Sequence, residues 1–346
     1  MKRYERWEEL QAFIAAGMCT RRKHPVLPLW IHNYSQRAQF EFGAEDWPEA
    51  LRDARGLVLD DDARVVARGL RKFFNLSQLT RLPEGKPEFF EKADGSLILA
   101  FEFEGRRVCS TRGSFDSVQA SWSERWFGLK HPSFVPEAGI TYCLEAIYPG
   151  NRIVVDYQGV EELAVLAALD SETGADRDDA LEALTGHFRM VRSYGVQEPS
   201  AIPGVEREGF VLRWPDGTRA KVKLEEYTRV HRLIYGTSTK TIWAMLRAGR
   251  SPEEQAAILP AEMRQWIADY ADTLRVAHAG IIKEYEELFA QRPEGVNRAE
   301  FAEWAKGARH PKLLFKMLDG KALEDEVWRM IEPEFSRPEW AFEPEE

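Results

Sequence analysis

Cysteine is scarce in this chain: three occur in 346 residues, at Cys19, Cys109 and Cys143. An odd number at unrelated spacings supports neither a disulfide framework nor a zinc cluster, and a reducing compartment is the simpler expectation. No long uncharged apolar run is present, and Met1-Lys2-Arg3-Tyr4-Glu5-Arg6 lacks the apolar core of a signal peptide. A cytoplasmic protein with no membrane partner is therefore expected. Positive charge is also in deficit, with 47 Lys and Arg against 57 Asp and Glu, a formal net charge of −10. That balance argues against indiscriminate adhesion to nucleic acid without excluding a local basic groove. There is no internal repeat and no low-complexity tract apart from an acidic, proline-containing C-terminal tail, which reads as disordered.

The content that remains, 44% apolar and 30% charged, is that of a globular protein, and the length favours two domains. Lysine and arginine concentrate in Arg21-Arg22-Lys23, across Arg52, Arg55, Arg64, Arg68, Arg71 and Lys72, and at Arg106, Arg107 and Arg112. Trp7, Leu10, Phe13 and Ile14 share one helical face, with Gly17 as a stop. From Leu57 to about Leu224 the texture is β-rich, with strands predicted at 57–59, 65–67, 97–103, 108–111, 140–147, 153–157, 163–169, 210–214 and 220–224. Helices are predicted around Ser117–Leu129 and Arg177–Phe188. Beyond Thr237 the apolar spacing is helical throughout, and Ser251-Pro252-Glu253-Glu254 reads as a capped helix start. The fold class is α+β with antiparallel sheets, residues 1–236, followed by an all-helical domain, residues 237–346.

Among the strands stands Lys92-Ala93-Asp94-Gly95. A lysine amine, with a reference pKa of about 10.4, becomes a nucleophile only where its surroundings disfavour the cation. Attack on the α-phosphorus of a nucleoside triphosphate would yield a lysyl phosphoramidate. Asp94 could contact ribose hydroxyls or orient the site, and Gly95 could permit a tight turn. A lone Lys-Xaa-Asp-Gly is mostly a surface turn, so its company decides. Arg55 and Lys72, in Lys72-Phe73-Phe74-Asn75, stand upstream, and Arg112 follows in Ser110-Thr111-Arg112-Gly113. These cations, with Lys221 and Lys223, could meet the charge of a transferring phosphoryl group. Lys221 and Lys223 alternate on one strand and so share a face, which suits either a polyphosphate or solvent. Glu145 and Glu208 lie beside apolar residues and need partners, either a hydrated magnesium ion or an internal basic residue. Val211 and Tyr227 could sandwich a nucleotide base or belong to the core. Tyr34 and His231 are further candidates near the nucleotide.

In order and spacing this set resembles the nucleotidyltransferase motifs of ATP-dependent RNA ligases, most closely the T4 RNA ligase 1 family, over roughly residues 30 to 235. The resemblance implies that Lys92 is the adenylylated residue and that Lys221-Val222-Lys223 is the last motif of the catalytic domain. It also implies metal and ribose contacts for Glu145 and Glu208, ATP as cofactor, and Mg2+ with Mn2+ as an alternative. The implied substrate is RNA with 5′-phosphate and 3′-hydroxyl ends, with a nicked tRNA as one candidate and RNA repair as the setting, and the resemblance suggests RNA selection as the role of the helical domain, residues 237–346. Ala93 departs from relatives that carry an acid there. DNA ligases and capping guanylyltransferases share the lysine chemistry but append an OB-fold, whereas the segment after Lys223 reads as helical. A noncatalytic RNA- or nucleotide-binding protein of the same fold is the remaining alternative.

Overall fold

The computed structural model describes residues 2–196 and 207–338. These fall into two compact units divided after Thr228. The last eight residues of the acidic tail, 339–346, lie outside the described residues, and 331–338 carry no regular element beyond a turn.

The first unit opens with helix α1 (Trp7–Ala15) and strands β1 (Cys19–Lys23) and β2 (Leu29–Tyr34). Short helices α2 (Gln36–Glu41) and α3 (Glu49–Asp53) lead to β3 (Arg55–Asp60) and β4 (Val65–Ala67), completing an antiparallel four-stranded sheet. The predicted face of α1 packs here: Leu10 is fully buried, and Trp7, Phe13 and Ile14 lie against the same core. Next come β5 (Phe74–Asn75) and β6 (Glu88–Lys92), then β7 (Ser96–Phe103), β8 (Arg106–Thr111), helix α4 (Val118–Lys130) and β9 (Ile140–Ile147). The unit closes with β10 (Glu162–Asp170), α5 (Asp178–Glu182), β11 (Arg189–Met190), β12 (Gly209–Arg213) and β13 (Arg219–Lys223).

A five-stranded sheet of order β11-β10-β9-β7-β8 forms the middle layer. Side chains alternate along its strands. On β7, Leu99, Phe101 and Phe103 join the core shared with the first sheet. Ile98 and Ala100 instead face Trp126 and Phe127 of α4 and Ala180 of α5. Burial on both faces explains why β9 is buried along its whole length, with Thr141 and Glu145 among its buried residues. The third sheet, β5-β13-β12-β6, has Phe89, Phe210, Leu212, Trp214 and Ala220 as its core.

Two predicted elements are corrected. Residues 153–157 form no strand, because the amides of Val154 and Val155 donate to the Asp94 carboxylate rather than to a neighbouring strand. The helix predicted at 177–188 stops at Glu182. The chain then turns, with Gly186 at φ +86°, and pairs as β11 against β10.

The helices that follow are α6 (Glu225–Gly236), which contains the division between the units, α7 (Thr239–Arg247), α8 (Pro252–Ala256), α9 (Ala261–Ala290), α10 (Arg298–Ala305), α11 (Pro311–Leu318) and α12 (Glu324–Met330). Among the described residues no strand follows β13. Ser251 caps α8 as predicted, accepting from the Glu254 amide at 3.2 Å. Tyr285, Phe301, Leu313, Leu314 and Val327 form the core of this unit's later helices. No helix among the described residues is long and apolar enough to cross a membrane.

Candidate active site

The register of the third sheet assembles the site. Lys92 on β6, Gly209 on β12 and Lys223 on β13 are aligned, and Phe90, Val211 and Lys221 form the next row on the same face. Gly209 separates the two lysines with no side chain of its own. Its φ of +155° and a Val222 carbonyl oxygen that would collide with any Cβ both require glycine there. Glu208 can therefore reach both amines: Lys92 Nζ donates to Oε2 at 2.6 Å, and Lys223 Nζ lies 3.0 Å from Oε1.

This triad sets the electrostatics. Burial disfavours the Lys92 cation, but the charges of Glu208 and Glu145 outweigh it and hold the amine above its ordinary value. Burial likewise works against the Glu208 carboxylate, yet Lys92 and Lys223 keep it below the usual range. Lys221 is desolvated and surrounded by Lys92, Lys223, Arg55 and Lys72, which bring it down to about 7. Glu145 follows Cys143 on the inward parity of β9. Burial, reinforced by Glu208 and Asp94 and opposed by Lys92, pushes it up to about 8.

Asp94 is 2% exposed and serves as a hub. Its Oδ2 accepts from the amides of Val154 at 2.9 Å and Val155 at 2.7 Å, and its Oδ1 accepts from Tyr227 Oη at 2.7 Å. The Asp94 amide donates to Tyr157 Oη at 2.9 Å. The carboxylate is thus engaged with protein groups on both oxygens. Gly95 is needed for close approach rather than for a positive φ. A Cβ there would strike the Ala146 carbonyl oxygen and lie 3.1 Å from Glu145 Cγ. Val211 stands on the open lysine-bearing face, whereas Tyr227 is 4% exposed, with Lys223 Nζ 5.4 Å from its ring centroid.

A second cationic group flanks the first. Tyr34 Oη accepts from Lys72 Nζ at 3.3 Å and from Arg112 Nη1 at 3.1 Å. Burial works against the phenolate, but Arg55, Arg112 and Lys72 outweigh it and draw the hydroxyl below its ordinary value. Lys72 Nζ lies 4.4 Å from the Tyr34 ring centroid and 4.8 Å from that of Trp47, and it also donates to Gln39. Arg55 is anchored by Nη1 on the Leu70 carbonyl at 3.2 Å. His231 belongs to the second unit, its ring 4.4 Å from Tyr235.

Sequence reasoning missed Tyr157, Gln39 and Trp47. Tyr157 sits in the segment read as a strand, and the other two carry no local pattern. Part of the clustered basic charge is tied to acids within the fold. Arg71 Nε donates to buried Asp53 at 2.6 Å, Arg68 Nη1 lies 3.2 Å from the same carboxylate, and Arg107 pairs with Glu124 at 3.2 Å. Arg68 is buried with its partner, whereas the Arg71 side chain stays exposed.

No trio of His, Cys, Asp or Glu side chains that could hold a metal occurs among the described residues. A divalent cation would need most of its ligands from water and phosphate, as Mg2+ does at nucleotide sites. Glu145 fits such a cation, because burial and acidic neighbours disfavour its carboxylate and a bound cation would favour it.

A viral protein assigned as a bifunctional polynucleotide kinase/RNA ligase, from Autographa californica nuclear polyhedrosis virus, is 24% identical over 255 residues, 64% of this chain and 36% of the viral protein. The chain thus spans about a third of the length of that curated relative. Among solved structures, an archaeal ATP-dependent RNA ligase aligns with TM-score 0.48 and 17% identity over 79% of each chain. An Aquifex aeolicus protein assigned as an ATP-dependent DNA ligase aligns with TM-score 0.47 and 14% identity over 91% of this chain and 99% of that one. The RNA ligase family model of the T4 RNA ligase 1 type matches residues 53–228, just over half of the chain, a span that holds Lys92, Glu145, Glu208, Lys221 and Lys223, and the chain belongs to that family.

Proposed function

We propose that this chain is an ATP-dependent RNA ligase whose nucleophile is Lys92. The observation that carries the reading is a half-buried lysine held by Glu208 beside Lys223, next to a cluster of Lys221, Arg55, Lys72 and Arg112. The neutral Lys92 amine attacks the α-phosphorus of ATP, a P–N bond forms and pyrophosphate leaves. The AMP then passes to an RNA 5′-phosphate, forming a pyrophosphate linkage and freeing Lys92. Attack by a 3′-hydroxyl on that activated phosphate forms the phosphodiester and releases AMP.

Lys92 is cationic while paired with Glu208, so the first step requires loss of a proton from Nζ. Lys221, with its affinity for a proton brought down to about 7, and Lys223 would face the departing phosphates. Tyr34 holds Lys72 and Arg112 as a preformed polyphosphate contact, and Val211 offers an apolar edge to the base. Asp94 acts by fixing the turn that presents Lys92. Glu145, with Glu208 once freed from its lysines, would hold Mg2+ or Mn2+, which when bound supplies charge neutralisation to the phosphates.

The substrate in this reading is RNA with 5′-phosphate and 3′-hydroxyl ends, such as a nicked tRNA, in RNA repair. Buried free thiols at Cys19, Cys109 and Cys143 fit a reducing, cytoplasmic setting. Intact mass after incubation with ATP and Mg2+, on protein first stripped with pyrophosphate, tests the first step. An added AMP on the native chain and none on Lys92→Ala is expected. No adduct on the native chain would favour a noncatalytic nucleotide- or RNA-binding role.

A further inference from the structure

The second unit contains a cavity of about 280 Å3 between the end of α6, α7, α8 and the start of α9. Ile242, Met245, Leu259 and Ile267 line its apolar interior, and Arg232 and Arg250 stand exposed among the lining residues, which include no carboxylate. Several other arginines of this unit are tied to acids, as in Arg247 with Asp325 at 2.8 Å, Arg275 with Glu253 at 2.6 Å and Arg298 with Asp319 at 2.7 Å. Among the described residues neither Arg232 nor Arg250 makes such a pair.

An apolar hole with two uncommitted guanidinium groups asks for a ligand with a flat, weakly polar body and an anionic group on either side. A nucleotide within a strand has that chemistry. We infer that this cavity receives one unpaired base of the RNA substrate, with the flanking phosphates on Arg232 and Arg250. The size favours a single base, since pockets for larger ligands begin at about 300 Å3. Gln255, exposed on the same lining, offers an amide donor and acceptor to a base edge. Bases are read in this way where they are unstacked, so the site selects a loop or single-stranded segment rather than a duplex. The inference rests on the proposed ligase function, and it places a binding determinant C-terminal to the last nucleotidyltransferase motif, Lys221-Val222-Lys223.

The test uses the full chain and a fluorescein-labelled single-stranded oligoribonucleotide, with binding read by anisotropy across a salt series. Arg232→Ala with Arg250→Ala should weaken binding and reduce the log–log salt slope by about 1.4, at about 0.7 for each phosphate contact on a single strand. Arg232→Lys with Arg250→Lys should restore most of the slope. Ala244→Trp, which fills the cavity from an exposed position on its lining, should weaken binding at least about fivefold with the slope unchanged. All three variants should form the Lys92 adduct as the native chain does. Unchanged affinity and slope in the alanine pair would overturn the inference. So would an unaltered affinity in Ala244→Trp, since the arginines would then act only as surface charge, or displacement of the RNA by an equal nucleotide concentration of free mononucleotide. Absence of the AMP adduct from the native chain would instead refute the ligase reading, and the anisotropy series reads the cavity independently of it.

Discussion

Gly95→Ala places one methyl group where the catalytic turn meets the centre of the fold. The new Cβ would collide with the Ala146 carbonyl oxygen and come within 3.1 Å of Glu145 Cγ and 3.2 Å of the Ala146 carbonyl carbon. Ala146 belongs to β9, paired on both sides by β7 and β10 and buried along its length, so the sheet has no room to yield. The turn must move instead, by several tenths of an ångström to about 1 Å, and Lys92 lies three residues before it. Overpacking of this kind costs about 1–3 kcal/mol, and a misplacement of about 1 Å at a reacting group costs about 10²-fold in rate. Urea denaturation and single-turnover formation of the AMP adduct measure the two effects. The variant should lose about 1–3 kcal/mol of stability and form the adduct about 100-fold more slowly. Gly128→Ala is the control: it lies in α4 with nothing within 4 Å of its Cβ, and should stabilise by about 0.5–1 kcal/mol. A Gly95→Ala protein with native midpoint and rate would refute the close-approach argument.

Tyr227→Phe removes a donor from buried Asp94 and should cost about 1–3 kcal/mol in denaturant unfolding; no change would mean that the hydroxyl does not sustain the hub. Tyr34→Phe should raise the KM for ATP more than it lowers kcat, because it loosens Lys72 and Arg112 without touching Lys92; a pure kcat loss would contradict that division. Glu145 rises from an ordinary 4.5 to about 8 in the fold, so its contribution to stability is present below pH 4.5 and is lost as pH climbs through about 8. Ligand-free protein should therefore lose thermal stability over that window, and Mg2+ should reverse the loss. Glu145→Gln should flatten the curve, whereas parallel curves would assign the slope to other groups.

The parts of this molecule legible in the sequence are those set by short periods. The run at 140–147 announces a strand, and the alternation of Lys221 with Lys223 puts both amines on the face that the register also gives Lys92. Pairings across long separations leave no local trace. Lys92 and Glu208 are 116 residues apart, so sequence could require a partner for Glu208 without deciding between a metal and a lysine. The stretch Ile153-Val154-Val155 has strand propensity, yet a side-chain carboxylate takes the amides that a sheet would have used. Arg68 and Arg71 look like a nucleic-acid surface until Asp53 is seen to bind both.

The contact of Glu208 with two lysines makes the resting site its own antagonist. A deprotonated lysine in a cell meets aldehydes and activated acyl groups as well as phosphoanhydrides, and it would be spent on any of them. Here the amine is kept cationic by a carboxylate that Lys223 holds in place from the other side. A small neutral electrophile brings no charge with which to part that pair and finds an ammonium group with no free electrons. A polyphosphate carrying a divalent cation brings both signs at once, an anion for the lysines and a cation for the carboxylate. In the proposed reaction Lys92 is thus released by the kind of molecule it is to attack, and chemical selectivity begins with the exchange of partners, before any base is recognised.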